Sequence, residues 1–255
     1  MKDFIENGKK AYNMELKILS VLEDACKAIK QNYGIALDLD TIPIDDSKTF
    51  ELLQQGQTGK VFVFHRKALQ RYLRELHPEN LDHLAVLYAL YFVSRFYCNR
   101  KLKHYIARKN GREMIECVAP CMVKFLKETY GIGIYVDQMM LMSQHIAGFS
   151  KAESEELGKV LYKRVSNKWP LFERMFIERG MNNGFDIAEL HVIWLKWYDE
   201  FAYYGFSKAR AALYAWIAYL SAYLKANYPG EYLAAISRSN MKKMIISFSL
   251  CIQTA

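Results

Sequence analysis

The residues of this sequence that could bind catalytic metal ions are two aspartate pairs in one short segment. Asp38 and Asp40 stand at positions i and i+2, and Asp45-Asp46 follow them closely. Carboxylates with the first spacing, if they lie on a strand, can hold the paired magnesium ions of nucleotidyl transfer. Here Pro43 separates the pairs and a helical pattern starts at Ser47, so Asx turns and helix caps explain the same residues. The pattern favours a structural role, with metal binding as the alternative.

A second candidate is a basic strip, in which seven lysines and arginines and no acidic residue lie between Arg95 and Arg112. Such a strip can contact the phosphates of a nucleic acid, while Tyr97 and Tyr105 pack against sugar or base. A solvated basic helix face gives the same pattern. The candidate contacts to a DNA backbone are Arg100, Lys101, Lys103, Arg108, Lys109 and Arg112.

Two helices further along the chain begin with recognisable caps. Ser150-x-x-Glu153 is a capping box, and the helix that it starts carries Lys159, Lys163 and Arg164 on or near one face. That cationic face could neutralise phosphate, although any exposed helix shows such residues. Gly205 predicts a tight turn and Ser207 a cap for a long aromatic helix that stops at Tyr228-Pro229.

Composition restricts the class of protein. The net charge of +8 and the pI of about 9.1 favour an acidic partner. The five cysteines are scattered, so we expect free thiols rather than a zinc site, and no Walker loop, nucleophile elbow or HExxH motif is present. The longest apolar run, 211–224, is short for a bilayer and the N-terminus lacks an apolar signal region, which together predict a cytoplasmic protein without membrane contact.

The elements that must position these residues are mostly helices. Helical periodicity predicts helices from Met14 to Tyr33, from Arg66 to Leu76 and over several later stretches. Val61-Phe62-Val63-Phe64 is the best strand candidate, and a short extended piece is expected at Ile132–Tyr135. The predicted fold class is mainly α, a multi-helix domain with one or two short strands near the N-terminal third.

The order of several motifs resembles the bacterial C-family replicative DNA polymerases, whose representative is the alpha subunit of DNA polymerase III. Tyr204-Gly205-Phe206-Ser207-Lys208 is similar to the family's Tyr-Gly-Phe-Asn-Lys, which opens a helix of the fingers. Collinear matches cover roughly residues 13 to 237. They include Ile42–Leu53, Lys60–Phe62, Leu84–Leu90, Tyr105–Glu113, Thr129–Ile132 and Tyr135–Met140.

The resemblance implies a fingers-like helical domain over residues 35–237. Residues 1–34 would be a helical remnant of the palm edge, and residues 238–255 a divergent tail. It also implies that Lys159, Lys163, Arg164, Ser207, Lys208 and Arg210 face the nucleotide or its phosphates. The implied partners are single-stranded or primed DNA, a separately encoded palm and other replisome subunits.

The departures from the family pattern affect the implied activity. The family's palm aspartates lie upstream of the matched region, and Tyr12 falls where the last of them would stand. Family Asn and His in the fingers motif are replaced by Ser207 and Arg210. We therefore expect a truncated, divergent relative that is inactive alone and has no catalytic or metal-binding residue of its own. Mg²⁺ would act only with a complete palm.

Two other interpretations remain open from the sequence. One is a non-catalytic DNA-binding module derived from the fingers. The other is a truncated reading frame without a selected function, for which the apolar run at 245–251 in the divergent tail is the cue.

Overall fold

A computed structural model of the chain describes residues 2–93, 98–117, 119–162, 166–201 and 205–239. Over these residues the mainly α fold class is confirmed. The twelve α-helices found there are α1 (Lys2–Tyr33), α2 (Ser47–Gln54), α3 (Lys67–Leu76), α4 (Leu81–Val93), α5 (Cys98–Lys109), α6 (Val123–Leu126), α7 (Val136–Ala147), α8 (Lys151–Tyr162), α9 (Trp169–Asn182), α10 (Ile187–Phe201), α11 (Lys208–Asn227) and α12 (Pro229–Arg238). Single 3-10 turns lie at Leu39–Thr41, Pro120–Met122, Lys127–Thr129 and Ser166–Lys168.

The chain divides into two compact units. Unit 1 consists of Met1–Leu84 and Leu213–Ala255, and unit 2 consists of Ala85–Ala212. The divisions fall inside α4 and α11.

Unit 1 is built on the packing of its first helix against its last. α1 packs against α12, and Asn32 Nδ2 donates to Glu231 Oε1 at 2.9 Å where they meet. The buried stripe of α1 contains Ile18, Leu22 and Ile29. Their spacing of four and seven residues is that of one helix face, so burial of this stripe stabilises α1 against the rest of unit 1.

The strand predicted at Val61–Phe64 is wrong, because these residues form consecutive turns. Lys60 and Val63 have left-handed backbone conformations, with φ of 68° and 63°. Phe64 N donates to Phe62 O at 2.7 Å, and Thr58 Oγ1 donates to Phe64 O at 2.6 Å. All four apolar side chains are buried, which explains why the run lacks the alternation of a half-exposed strand.

Unit 2 has an aromatic and methionine-rich core. α7 packs against α8 and α9, and α9 packs against α10. Phe176 lies between two tryptophans, with ring centroids 5.4 Å from Trp194 and 4.7 Å from Trp197. Gly180 allows the close approach of α9 and α10, because a Cβ there would come 2.6 Å from Leu190 Cδ2. Substitution of this glycine would force Leu190 to move.

The extended piece predicted at Ile132–Tyr135 contains no strand either. Tyr135 makes an isolated parallel bridge to Phe206, and the described residues contain no other β-pairing. Phe206 N donates to Ile134 O at 3.2 Å, and Val136 N donates to Phe206 O at 3.0 Å. The prediction of one or two short strands is therefore corrected to a single bridge that attaches the start of α11 to the start of α7.

The long aromatic helix predicted after Ser207 is present as α11. Ile217, Leu220 and Leu224 are buried, whereas Leu213 is 46% exposed. Tyr214, Ala218 and Ser221 are also buried, so more than one face of this helix is covered. The spacing of apolar residues could not show that several faces of α11 are covered, because a helix buried on most sides has no polar face to reveal the pattern.

Candidate nucleic-acid interface

All of the predicted site residues belong to unit 2. On α5 the buried face consists of Leu102, Tyr105 and Ile106, while Arg100 and Lys103 are exposed. The helix ends at Lys109, Gly111 with a φ of 69° then turns the chain, and Arg112 is exposed immediately afterwards. Three cations of the basic strip thus face solvent, where a phosphate backbone can reach them.

Arg108 and Lys101 have partners inside the unit, and Arg95 lies outside the described residues. Arg108 Nε donates to Glu113 Oε1 at 2.8 Å and its Nη1 to Tyr130 O at 3.0 Å, and its side chain is only 13% exposed. Lys101 Nζ donates to Gly133 O at 3.1 Å. Lys109 is half-buried. These contacts hold the segments after α5 and α6 in place.

Tyr105 cannot pack against a base, because its side chain is fully buried. Its ring lies 5.3 Å from that of Tyr130 in an edge-on arrangement. The expectation that Tyr105 contacts sugar or base is therefore wrong, and that for Tyr97 falls outside the described residues.

A carboxylate joins two of the α5 side chains. Glu113 Oε2 lies 2.7 Å from His104 Nδ1, and its Oε1 accepts from Arg108. The hydrogen bonds from His104 and Arg108 lower the pKa of Glu113 below its usual value. The carboxylate therefore stays ionised and balances part of the positive charge of the strip.

The predicted phosphate-facing segment at 205–210 is fixed by its backbone. Lys208 N, the first amide of α11, donates to Asp137 Oδ2 at 2.9 Å. Ser207 also acts as the predicted cap, accepting from Arg210 N at a longer 3.4 Å. Gly205 lies against Val136, and a Cβ there would come 2.9 Å from the valine Cβ, so close approach explains the glycine.

Side chains of the same segment differ in exposure. Lys208 Nζ donates to Glu128 Oε2 at 2.6 Å, and the two side chains are 44% and 40% exposed. Ser207 and Arg210 are exposed. The structure thus brings Ser207, Lys208 and Arg210 together at one helix start.

Sequence reasoning missed the residue that organises this region, Gln138. Its Oε1 accepts from Ile134 N and Tyr135 N at 3.0 and 2.9 Å, and its Nε2 donates to Phe125 O and Thr129 Oγ1 at 3.2 and 2.9 Å. Gln138 is 3% exposed, so its amide is fully used in a buried network. The available signal was a glutamine next to the otherwise apolar run Met139–Met142.

On α8, Lys159 is exposed, and Lys163 and Arg164 lie outside the described residues. The predicted capping box is present: Ser150 N donates to Glu153 Oε2 at 2.8 Å, and Glu153 N donates to Ser150 Oγ at 3.2 Å. Arg179 adds a bidentate contact at 3.0 and 2.8 Å. Hydrogen bonds from Arg179 and Ser150 lower the pKa of Glu153 to about 2.

Two of the four aspartates that could have bound metal act as caps. Asp38 Oδ1 accepts from Asp40 N at 3.0 Å, and Asp46 Oδ2 accepts from Thr49 N at 2.8 Å. Within the described ranges, no group of three or more His, Cys, Asp or Glu residues is placed to hold a metal ion. Among the described residues, Cys26, Cys117 and Cys121 form no disulfide bond.

None of the helices in the described ranges combines the length and the apolar character needed to cross a bilayer.

Comparison with known proteins connects this geometry to a family. The family model described as the bacterial DNA polymerase III alpha subunit finger domain matches residues 18–184. DNA polymerase III subunit alpha of Chlamydia pneumoniae is 37% identical over 221 residues, which are 87% of this chain and 18% of that protein. The corresponding subunits of Aquifex aeolicus and Mycobacterium leprae are 32% and 36% identical, over 86% and 88% of this chain and 19% of each relative.

The chain therefore spans less than a fifth of the length of these relatives. The residues matched by the family model include α5 and α8, whereas the segment 207–210 lies beyond residue 184. On the extent of both matches, the chain belongs to the bacterial DNA polymerase III alpha subunit family and corresponds to its finger domain region.

Proposed function

We propose that this chain acts as the fingers of a replicative DNA polymerase and contacts template–primer DNA and the incoming nucleotide. The observation that carries the proposal is the two-sided α5, which buries its apolar face and leaves Arg100 and Lys103 exposed within the finger-domain match, next to Arg112. Exposed cations at this spacing neutralise backbone phosphates without regard to sequence, which suits a polymerase that copies any template.

The proposed nucleotide contacts are Ser207, Lys208 and Arg210, together with Lys159 of α8 and its neighbours Lys163 and Arg164. Exposed ammonium and guanidinium groups are the usual partners of phosphate oxygens. The hydroxyl of Ser207 adds a polar contact at the same helix start. These positions stand where the family places polar residues of the fingers.

Polymerisation would require a palm that supplies metal-binding aspartates, in the same polypeptide or in a partner. Phosphoryl transfer depends on metal-held charge and on positioning, and we assign only positioning to these 255 residues. In this proposal residues 35–237 form the fingers, residues 1–34 adjoin the palm, and residues 238–255 diverge from the family. DNA, a palm and other replisome subunits are the proposed partners.

The test is the salt dependence of binding to primed DNA by the 255-residue chain. We expect log K to fall linearly with log salt concentration, with a slope of roughly 0.9 for each neutralised duplex phosphate. Replacing Arg100, Lys103 and Arg112 together by glutamine should reduce this slope by roughly 2 to 3, because each removed cation leaves one phosphate contact unmade.

The matched control replaces Lys30, Lys48 and Lys67, three exposed lysines of unit 1, by glutamine. It removes the same net charge, so an effect of total charge alone would lower both slopes equally. Equal slopes in the two triple variants would contradict the assignment of the DNA contacts to α5. If the chain binds primed DNA normally but does not stimulate primer extension by a palm-bearing partner, the alternative of a non-catalytic DNA-binding module is favoured.

A further inference from the structure

Glu128 holds the side chain of the one lysine that the fingers motif retains. We propose that Glu128 is an exchangeable counterion for Lys208. A polyphosphate that binds to the segment 207–210 displaces the Glu128 carboxylate from the lysine. This inference rests on the proposed function, since it assumes that this segment receives the phosphates of the incoming nucleotide. It adds a specificity-determining residue that lies 80 positions away in sequence.

The position of the segment does not depend on the Glu128 contact. Lys208 N is tied to Asp137, and Phe206 is bridged to Ile134 and Val136 through its backbone. Gln138 fixes the backbone of Tyr135, the other member of the bridge. Release of the Lys208 side chain would therefore leave the helix start where it is, ready for a ligand.

The contact itself is of the weak, replaceable kind. Lys208 and Glu128 are 44% and 40% exposed, and a single ion pair at such a surface contributes little because water and salt compete for both charges. A polyphosphate offers several negative charges at once and can contact Arg210 as well as Lys208. It should therefore displace one carboxylate, whereas an anion with a single charge competes poorly.

Three other carboxylates among the described residues of unit 2, Glu153, Glu113 and Asp137, are held more firmly. Glu156 forms an ion pair with Lys168 that is as exposed as that of Glu128. Glu153 accepts a bidentate contact from Arg179 and further bonds from Ser150. Glu113 is shared by His104 and Arg108. Asp137 accepts from a backbone amide at the start of α11, where the helix dipole favours a negative charge. Within the described part of unit 2, Glu128 contacts neither a second cation nor a backbone amide at a helix start. Unlike Glu156, it contacts a lysine of the segment 207–210, so it is the acid suited to exchange at that segment.

The test measures binding of inorganic tripolyphosphate to the full chain by calorimetry at about 0.1 M salt, where the Debye length is about 10 Å. Glu128→Gln removes the competing charge while keeping the size of the side chain. We expect its affinity to rise by roughly fivefold, equivalent to about 1 kcal/mol, the upper range for an exposed ion pair. Glu128→Ala should give the same gain, and thermal melting followed by circular dichroism verifies that each variant is folded.

The matched control is Glu178→Gln, which removes an exposed acid of the same unit and changes the net charge equally. Its affinity should change by less than about twofold, because exposed charges that are not adjacent are largely screened. In the double variant Glu128→Gln/Lys208→Gln the gain should disappear, since the released lysine is then absent.

The outcomes separate this inference from the proposed function. If binding depends on Lys208 but is the same in Glu128→Gln and Glu178→Gln, the exchange is wrong and the phosphate segment stands. If Lys208→Gln and Arg210→Gln leave binding unchanged, the segment is not the phosphate site and both proposals on it fail. Absence of binding in the wild type and in Glu128→Gln alike also contradicts both, whereas binding that appears only in Glu128→Gln supports the exchange.

Discussion

The two ends of α11 each present a lysine, and the two lysines have different kinds of partner. At the start, within unit 2, Lys208 Nζ contacts the carboxylate of Glu128 at the surface. In the last turn, within unit 1, Lys225 Nζ donates to the backbone carbonyls of Gln57 and Gly59. Burial, and then the nearby charge of Lys60, lowers the pKa of Lys225.

The difference shows that residue type alone does not assign a role to a cation. A lysine that satisfies backbone carbonyls contributes to the fold, because losing it leaves those carbonyls without a protein partner. A lysine that contacts an exposed carboxylate can change partner at small cost. The first arrangement is suited to holding a loop and the second to receiving a ligand.

The largest expected effect concerns the loop that Lys225 holds. Phe64 is fully buried in unit 1, so Phe64→Ala should lower the free energy of unfolding by about 3 to 5 kcal/mol, through lost burial and the cavity left behind. The measurement is urea denaturation followed by far-UV circular dichroism. The control is Ile44→Ala in the same unit, whose side chain is 58% exposed and should change stability by less than about 0.5 kcal/mol. If Phe64→Ala changed the free energy of unfolding by as little as Ile44→Ala, burial of Phe64 would not stabilise unit 1.

The comparison of the two lysines is tested directly by replacing each with methionine, which keeps most of the aliphatic chain. Lys225→Met should cost about 1 to 2 kcal/mol of unfolding free energy, because two carbonyls lose a charged donor. Lys208→Met should cost less than about 1 kcal/mol but weaken tripolyphosphate binding. Denaturation and calorimetry on both variants check the result. A reversed order, with Lys208→Met the more destabilising, would contradict the division of roles.

The sequence predicted much of the helical framework because caps and periodicity are local signals. Asp46 caps α2, and the Ser150–Glu153 box caps α8. Each of these signals lies within a few residues of the helix that it starts. Local pattern failed at Val61–Phe64, where the burial that decides the structure comes from distant helices: Tyr232 Oη donates to Lys60 O at 2.9 Å.

The candidate site was predictable as a set of cations but not as an arrangement. Composition placed Arg100, Lys103 and Arg108 in one strip, and only the fold shows that Arg108 is committed to Glu113 and Tyr130. Likewise, Ser207 was expected to cap α11, but Asp137, 71 residues from Lys208, makes the shorter contact. Pairings across such separations leave no spacing pattern in one sequence, because the turns between them can have any length.

The smallest expected effect tests whether the unit 1 end of α11 is held by a neutral tyrosine as well as by Lys225. Tyr219 Oη donates to Pro43 O at 2.7 Å and accepts from Asp46 N at 3.0 Å, and burial raises its pKa from 10.0 to about 12. Tyr219→Phe should therefore lower the free energy of unfolding by about 1 kcal/mol at pH 7.

Because the folded pKa of Tyr219 exceeds the unfolded value, the stability contributed by Tyr219 is fully present below pH 10 and is lost as the pH rises towards 12. The difference between wild type and Tyr219→Phe should thus shrink above pH 10, as measured by urea denaturation at pH 7, 9, 10.5 and 11.5. A difference that stays constant over this range would mean that Tyr219 ionises as easily in the folded protein as in the unfolded one. The absence of any difference at pH 7 would mean that its hydroxyl does not stabilise this end of the helix.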